Sequence, residues 1–324
     1  MDLKIVLSLK WYMALRIKQV SGKEYYYLDL SYFLLDRAKT FSKYIGSKKP
    51  TVLELESIED KFKNELITKL SGKSYSVELI SKDDLIKALL FCDAFNKKFA
   101  SLSPAGKKKF EIDRTITFTL TTLTTEDVDV SLNDVKEAYK KELNLSLREK
   151  ISKNMLAAVE SIKIGKKFDL QYLLELHKKA MSNFETKSPG KIRDKQVYLH
   201  KRDENNILSA EISYRPPHYN KVFELLKKFV EWYTKTTLNP LEKASFAHFK
   251  LYGIHPFLDG NKRVCRLLFN KTLIDESFPL LNISEKKEAY FEALINSVEK
   301  NEPKILVEFT LKEYFRQVKE FLKS

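Results

Sequence analysis

The sequence predicts a mainly α-helical protein: a helical bundle with a β-hairpin laid over it, preceded by a small β-rich module. Three observations carry that expectation. Eight amphipathic stretches, at 133–142, 147–162, 169–182, 218–235, 241–254, 263–275, 285–299 and 303–322, repeat apolar residues at helical spacing. The first 50 residues instead hold Tyr-, Leu-, Ile- and Val-rich runs around a Gly turn, which read as strands. Between 191 and 217, KIRDKQVYLHKRDENNILSAEISYRPP sets two short extended arms around a polar KRDENN tip and stops at RPP, as a hairpin does.

Taken in order, the β-module comprises LKIVLSLKWYMALRIKQV, the turn SGK, EYYYLDLSYFLL and a third extended piece in TFSKYIG. It carries ten Lys/Arg against four Asp/Glu. A basic, aromatic β-surface suits single-stranded nucleic acid. It equally suits packing or protein docking, and that reading is favoured. Pro50 closes the module. From Val52 to about Leu102 the pattern is helical: Leu53, Ile58, Phe62, Leu66 and Ile67 form one apolar stripe, and Leu85, Leu89, Leu90, Cys92 and Phe95 a second, led by Ser81, Asp83 and Asp84. SPAGKKK reads as a loop and a boundary. The expected division is therefore 1–50, 51–102 and 103–324.

The 324-residue chain suits about two domains at ~100–200 residues each, and a 43% hydrophobic fraction is ample for a core. The net charge of +14 favours polyanions, but a solvated Lys-rich surface explains it as well, so charge alone names no partner. Cys92 and Cys265 have neither metal-site nor disulfide-framework spacing, which fits a reducing compartment. Charged residues interrupt MDLKIVLSLKWYMAL, so no secretory signal is expected. No apolar run approaches the ~20 residues needed to span a bilayer. The expectation is a soluble, cytoplasmic protein.

The densest chemistry lies in HPFLDGNKR, His255 to Arg263. A helix over 241–254 ends just before His255-Pro256, Gly260-Asn261 makes a tight turn, and a new helix starts near Lys262. Free N–H groups at that second helix's start form an anion site. Arg263 and Arg266, three residues apart, share a face. Asp259 can hold a hard cation such as Mg²⁺. His255 is the one nearby group whose ordinary pKa suits proton transfer at neutral pH. Cradle, cations, carboxylate and base together describe phosphoryl or nucleotidyl transfer, in which positioning and charge neutralisation supply most of the rate.

HPFLDGNKRVCR resembles the Fic family signature, HPFx(D/E)GN(G/K)RxxR. AHFKLYGIHPFLDGNKRVCRLLFNKTLI looks like the two central Fic helices, and LLELHKKAM with SPGKIRDKQVYL resembles the upstream helix and the start of the family's flap. The likeness covers roughly residues 110–315. It implies AMP transfer from ATP to a Ser, Thr or Tyr hydroxyl of a target protein. His255 would be the base, Phe257 would pack under the loop, and Asp259 would hold Mg²⁺ against the α- and β-phosphates. Gly260 and Asn261 would form the anion hole, beside Lys262. Arg263 would grip the phosphates and Arg266 would reach the γ-phosphate. The hairpin from about Gln196 to Tyr214 would align the target by strand pairing, with Gln196, Val197, Tyr198 and Leu199 leading it.

Lys262 departs from the Gly of many adenylylating members. Doc-type kinases of the superfamily carry Lys there, but typically have Ala where this chain has Gly260, and they lack the second arginine. AMP transfer therefore leads, with a Doc-like protein kinase second and a nucleic-acid- or protein-binding regulator with a weak Fic domain third. Self-modification is a further expectation. Many Fic proteins also carry an inhibitory (S/T)xxxE(G/N) helix whose glutamate pairs with the second signature arginine. LAAVES offers Glu160, but with Leu156 four residues before it. TLTTEDVDVSLNDV offers Glu126, with Thr122 in the right place, and SLNDV resembles the family's trailing TLxEV. Glu126 is the choice, although Asp127 replaces Gly or Asn; RTITFTLTTLTT, taken alone, alternates like a strand, but the resemblance implies a helix there, and a helix is the expectation.

Overall fold

A computed structural model describes residues 10–34, 37–162, 167–202 and 208–324. The first nine residues and most of the KRDENN tip fall outside them. The chain divides into two compact units, Met1–Lys98 with Val318–Ser324, and Phe99–Gln317.

The first unit holds an antiparallel meander of β1 (Lys10–Val20), β2 (Lys23–Leu34) and β3 (Arg37–Gly46). Ser21 and Gly22 both take positive φ, 49° and 76°, as a two-residue hairpin turn requires. Tyr26, Leu28, Leu30 and Leu34 of β2 are buried, a spacing of two that puts them on one face. In α1 (Val52–Ser71), Phe62, Leu66 and Ile67 are buried, and Lys43 of β3 lies 6.0 Å from the Phe62 ring. Thr51 and Glu54 form a capping box at the start of α1, and Gly72 closes it in the left-handed region. α2 (Lys82–Ser101) buries Leu85, Ile86, Leu89, Leu90 and Phe95.

The second unit contains α3 (Pro104–Thr124), α4 (Leu132–Lys140), α5 (Leu147–Glu160), α6 (Leu170–Met181), β4 (Leu199–Arg202), β5 (Leu208–Tyr214), α7 (Val222–Lys235), α8 (Pro240–Ile254), α9 (Asn261–Asp275) and α10 (Lys287–Glu299). α11 (Pro303–Lys323) follows. One expectation fails at α3. SPAGKKK is not a loop: the Ser103 hydroxyl caps the Gly106 N–H at 3.1 Å and Pro104 sits at the first helical position, where its missing N–H costs nothing. The alternating Thr run is helical, as the resemblance implied against its strand-like period. Ile112, Ile116 and Leu120, at helical spacing, share a cluster with Val135, Ala138 and Leu156. The hydroxyls of Thr121 and Thr124 donate back to the carbonyls of Thr117 and Leu120 at 2.9 and 3.0 Å. Because Phe118, Thr119, Thr122 and Leu123 are buried too, α3 has apolar contacts around most of its girth, and a period-two pattern arises without a strand.

α9 lies at the centre of this unit. All but three of its fifteen residues are buried. These include Asn261, Arg263, Arg266, Asn270 and Lys271, and buried polar groups on this scale mark a site rather than a core. β4 and β5 pair antiparallel, Leu199 with Tyr214 and Arg202 with Leu208. Among the described residues, no helix is long and apolar enough to cross a membrane.

Candidate active site

α8 ends because His255 adopts a left-handed conformation, φ 50°, with its N–H bonded to the Leu251 carbonyl at 3.0 Å. Pro256 cannot continue the helix. The loop that follows is closed by the Asn261 amide. Its oxygen accepts from the Phe257 N–H at 3.0 Å, and its nitrogen donates to the Phe257 carbonyl at 2.9 Å. Gly260 stands at φ 72°, a conformation that favours glycine, and a Cβ there would lie 2.5 Å from the Met181 sulfur and have to displace that side chain. Gly260 is the N-cap of α9 and no side chain caps that helix. Its first N–H groups point at the loop as anion donors.

His255 is 9% exposed. Burial pushes its imidazole down to about 4; the Tyr252 carbonyl opposes this, while Arg193 and Lys262 add to it. Nδ1 lies 3.3 Å from the Tyr252 carbonyl oxygen. With its proton assigned to that bond, Nε2 is an acceptor. The ring is thus neutral at pH 7 and has a lone pair to offer.

Arg263 is 3% exposed and Arg266 fully buried. Both face the Glu126 carboxylate. Arg266 Nη2 donates to Glu126 Oε1 at 2.6 Å and to the Thr122 carbonyl at 2.9 Å. Arg263 Nε lies 3.2 Å from Oε2 without an aligned hydrogen bond, and its Nη1 is 2.9 Å from the Met181 sulfur. Burial alone would push the Glu126 carboxyl up. Arg263, Arg266 and Lys262 outweigh it and hold the group below its usual range. Glu126 lies in the turn just after α3 rather than inside a helix, and Asp127 takes φ 59° and pairs with Lys287 at 2.7 Å. Glu160, the competing candidate, is exposed at the end of α5.

Asp259 Oδ1 accepts from the Gly260 N–H at 2.6 Å. Among the described residues no three His, Cys, Asp or Glu side chains gather as a metal cluster. One carboxylate cannot cage a cation, but it is the donor set Mg²⁺ uses when phosphates supply the remaining oxygens. Lys262 Nζ lies 4.4 Å from the Phe291 ring of α10.

The hairpin is anchored beside His255. The Tyr214 hydroxyl donates to the Gly253 carbonyl at 3.0 Å. Gln196, Val197 and Tyr198 precede β4 and only Leu199 belongs to it. The Gln196 amide donates to the Pro216 carbonyl at 3.0 Å, and Tyr198 is exposed.

Three residues that sequence reasoning passed over complete the site. Arg193, 3% exposed, donates Nε to the His255 carbonyl at 2.8 Å and Nη2 to the Pro217 carbonyl at 2.5 Å. It ties the His255 loop to the end of the hairpin. His177 accepts from the Gly190 N–H on Nδ1 at 2.8 Å, faces the Asp259 carbonyl with Nε2 at 3.0 Å, and stacks on Phe257 at 3.7 Å. Met181 floors Gly260. No local pattern distinguishes Arg193 from an ordinary surface cation, or His177 and Met181 from ordinary core residues.

The three buried imidazoles predict an acid response. Burial is the largest cause in each, lowering His177 and His255 to about 4 and His248 to about 3. Below the ordinary ~6.5 the unfolded chain binds protons that the folded chain refuses. Their contribution is whole above about pH 6.5 and is lost as pH falls toward 4. Calorimetric unfolding at pH 5 should therefore take up about three protons through these groups, and His255→Gln should lower the uptake by about one. An unchanged uptake in that variant would show His255 already charged.

Base, loop and uncapped helix start define the class: a helical-bundle protein with an anion cradle facing a neutral imidazole. Residues 167–273 match the Fic/DOC family. It is 33% identical over 123 residues to protein adenylyltransferase fic-1 of Caenorhabditis elegans, and 31% identical over 122 residues to protein adenylyltransferase Fic of Drosophila erecta. These stretches are 36% and 37% of this chain but only 22% of each relative's length. Its fold is similar to that of a Fic domain containing signaling protein from Bacteroides thetaiotaomicron, with TM-score 0.62 and 20% identity, covering 73% of this chain and 95% of that one. It is also similar to Fic-1 of C. elegans, with TM-score 0.59 and 20% identity, covering 83% of this chain and 74% of that one.

Proposed function

We propose that this chain is a protein adenylyltransferase that transfers AMP from ATP to a Ser, Thr or Tyr hydroxyl of a target protein and is held back by Glu126. The observation that carries this is one juxtaposition. A neutral, buried His255 stands at one end of the Gly260–Asn261 loop, and two buried arginines on the helix that begins there meet a single carboxylate. Phosphates need that loop and those arginines; a hydroxyl needs that base. The adenylyltransferase names of the relatives support the same reading.

In the proposed reaction, the target hydroxyl attacks the α-phosphorus of ATP. A new P–O bond forms, the bond to the bridging oxygen breaks, and pyrophosphate leaves. His255 Nε2 takes the hydroxyl proton. The N–H groups from Gly260 onward receive charge on the α-phosphate, Arg263 holds the phosphates and Arg266 the γ-phosphate. Mg²⁺ held by Asp259, when bound, would supply charge neutralisation between the α- and β-phosphates. Asn261 keeps the loop in shape. The hairpin, led by Gln196, Val197, Tyr198 and Leu199, aligns the target segment by strand pairing. Residues 103–324 carry this chemistry, 51–102 form a helical region, and the 1–50 module serves packing or protein docking ahead of nucleic acid. Cys92 and Cys265, both buried thiols, suit a cytoplasmic setting.

Lys262 favours a second reading, a Doc-like kinase. Intact-mass measurement of the full chain with ATP and Mg²⁺ separates the two. The gain of an adenylyl group on protein is expected. The gain of a phosphoryl group would replace the first reading by the second, and no gain in either this chain or its Glu126→Gly variant would remove both.

A further inference from the structure

The far side of Arg266 holds a second set of contacts. Its Nη1 is 3.4 Å from the Tyr290 hydroxyl, and its guanidinium lies 5.6 Å from that ring. The same hydroxyl is 3.0 Å from His248 Nε2. Arg266, Tyr290 and His248 sit on α9, α10 and α8 and all three are fully buried. Arginine can only donate, so the Tyr290 oxygen accepts from Nη1. The phenolic proton is then available to His248, whose Nε2 must accept it. A neutral ring satisfies this, and burial keeps His248 neutral. The hydroxyl rotor is thereby fixed with its proton turned away from the arginine and its lone pairs toward it. Nη2 is left to face Glu126, and Nε has no hydrogen-bond partner among the described residues.

The geometry points to Tyr290 and His248 as positioning residues that hold Arg266 for the γ-phosphate once Glu126 has withdrawn. This rests on the proposed placement of Arg266. A buried cation stripped of its carboxylate is costly and would turn toward any other acceptor. The tyrosine oxygen, oriented from behind by the imidazole, keeps one edge of the guanidinium in register on a rigid helix. The other edge then stays aimed where Glu126 was.

The test is calorimetric binding of ATP and of ADP, each with Mg²⁺, to the full chain carrying Glu126→Gly, with thermal melting to verify folding. That parent should prefer ATP. Adding Tyr290→Phe, which keeps the ring over Arg266 but removes the acceptor, should weaken ATP about tenfold, as expected for loss of a hydrogen bond to a charged donor, and leave ADP within about twofold. His248→Leu should act in the same direction, and His248→Gln, with an amide oxygen to accept the phenolic proton, should recover most of the loss. A parent without ATP preference would overturn the placement of Arg266 and this inference with it. A parent with the preference, retained by folded Tyr290→Phe, would overturn the inference alone. So would equal weakening of ATP and ADP, which is the signature of mere packing.

Discussion

Replacing His255 by alanine in a chain already relieved of Glu126 should lower the rate of AMP transfer by about 10²–10⁴, the usual contribution of a positioned general base. Nucleotide affinity should change little. The loop that would receive the phosphates is shaped by Asn261, Gly260 and Met181, none of which leans on the imidazole. Arg193 grips the His255 carbonyl and the Pro256 carbonyl accepts from the Arg193 N–H at 2.9 Å, both main-chain contacts that alanine retains. His255 itself is in the left-handed region, so alanine adds no strain the histidine lacks. With the imidazole lowered to about 4, the residual rate of the parent should stay level from pH 8 down to about 5 with respect to this group, then fall as the base becomes protonated. Single-turnover labelling with α-labelled ATP measures the rate and calorimetry the affinity. Parent-like labelling by the alanine variant would remove His255 from the reaction.

The signature was legible because its parts are contiguous: turn chemistry, anion site and base all lie within HPFLDGNKR, where spacing alone fixes which groups converge. The long helices were legible for a related reason, since each carries its own period. What the sequence concealed depends on distant partners. Arg193 looks like one of many surface cations until the carbonyls of His255 and Pro217 surround it. His177 and Tyr290 give no local signal because their polar atoms find partners on other elements. At α3 the local signal pointed the wrong way. Threonines beside Ile116 and Phe118 imitate a strand, and only burial on several sides of the helix explains them. The start of α3 shows the converse, because Ser103-Pro104 is a helix opening that the following Gly106 and lysines disguised as a loop.

Glu126→Gly should raise self-labelling by about ten- to a hundredfold, and Glu160→Gly should leave it unchanged. The carboxylate of Glu126 occupies the two arginines proposed to hold the phosphates, with Arg266 at 2.6 Å and Arg263 at 3.2 Å. ATP must therefore displace it or bind with its phosphates turned away from His255. A charge-assisted hydrogen bond is worth roughly 1.5–3 kcal/mol, and about 1.4 kcal/mol is tenfold in an equilibrium; that sets the range. The same substitution strands Arg266, fully buried, beside only the Thr122 carbonyl and the Tyr290 hydroxyl. Breaking a buried pair from one side costs about 3–5 kcal/mol of stability. The variant should melt earlier than the intact chain without nucleotide, and ATP should restore more stability to it than to the intact chain, because the phosphate now supplies the missing anion. Activation and destabilisation together are the mark of a carboxylate that competes with substrate. Glu126→Gln, which keeps an acceptor but no charge, should fall between. A destabilised variant with no gain in labelling and no added response to ATP would make Glu126 a purely structural partner of Arg266.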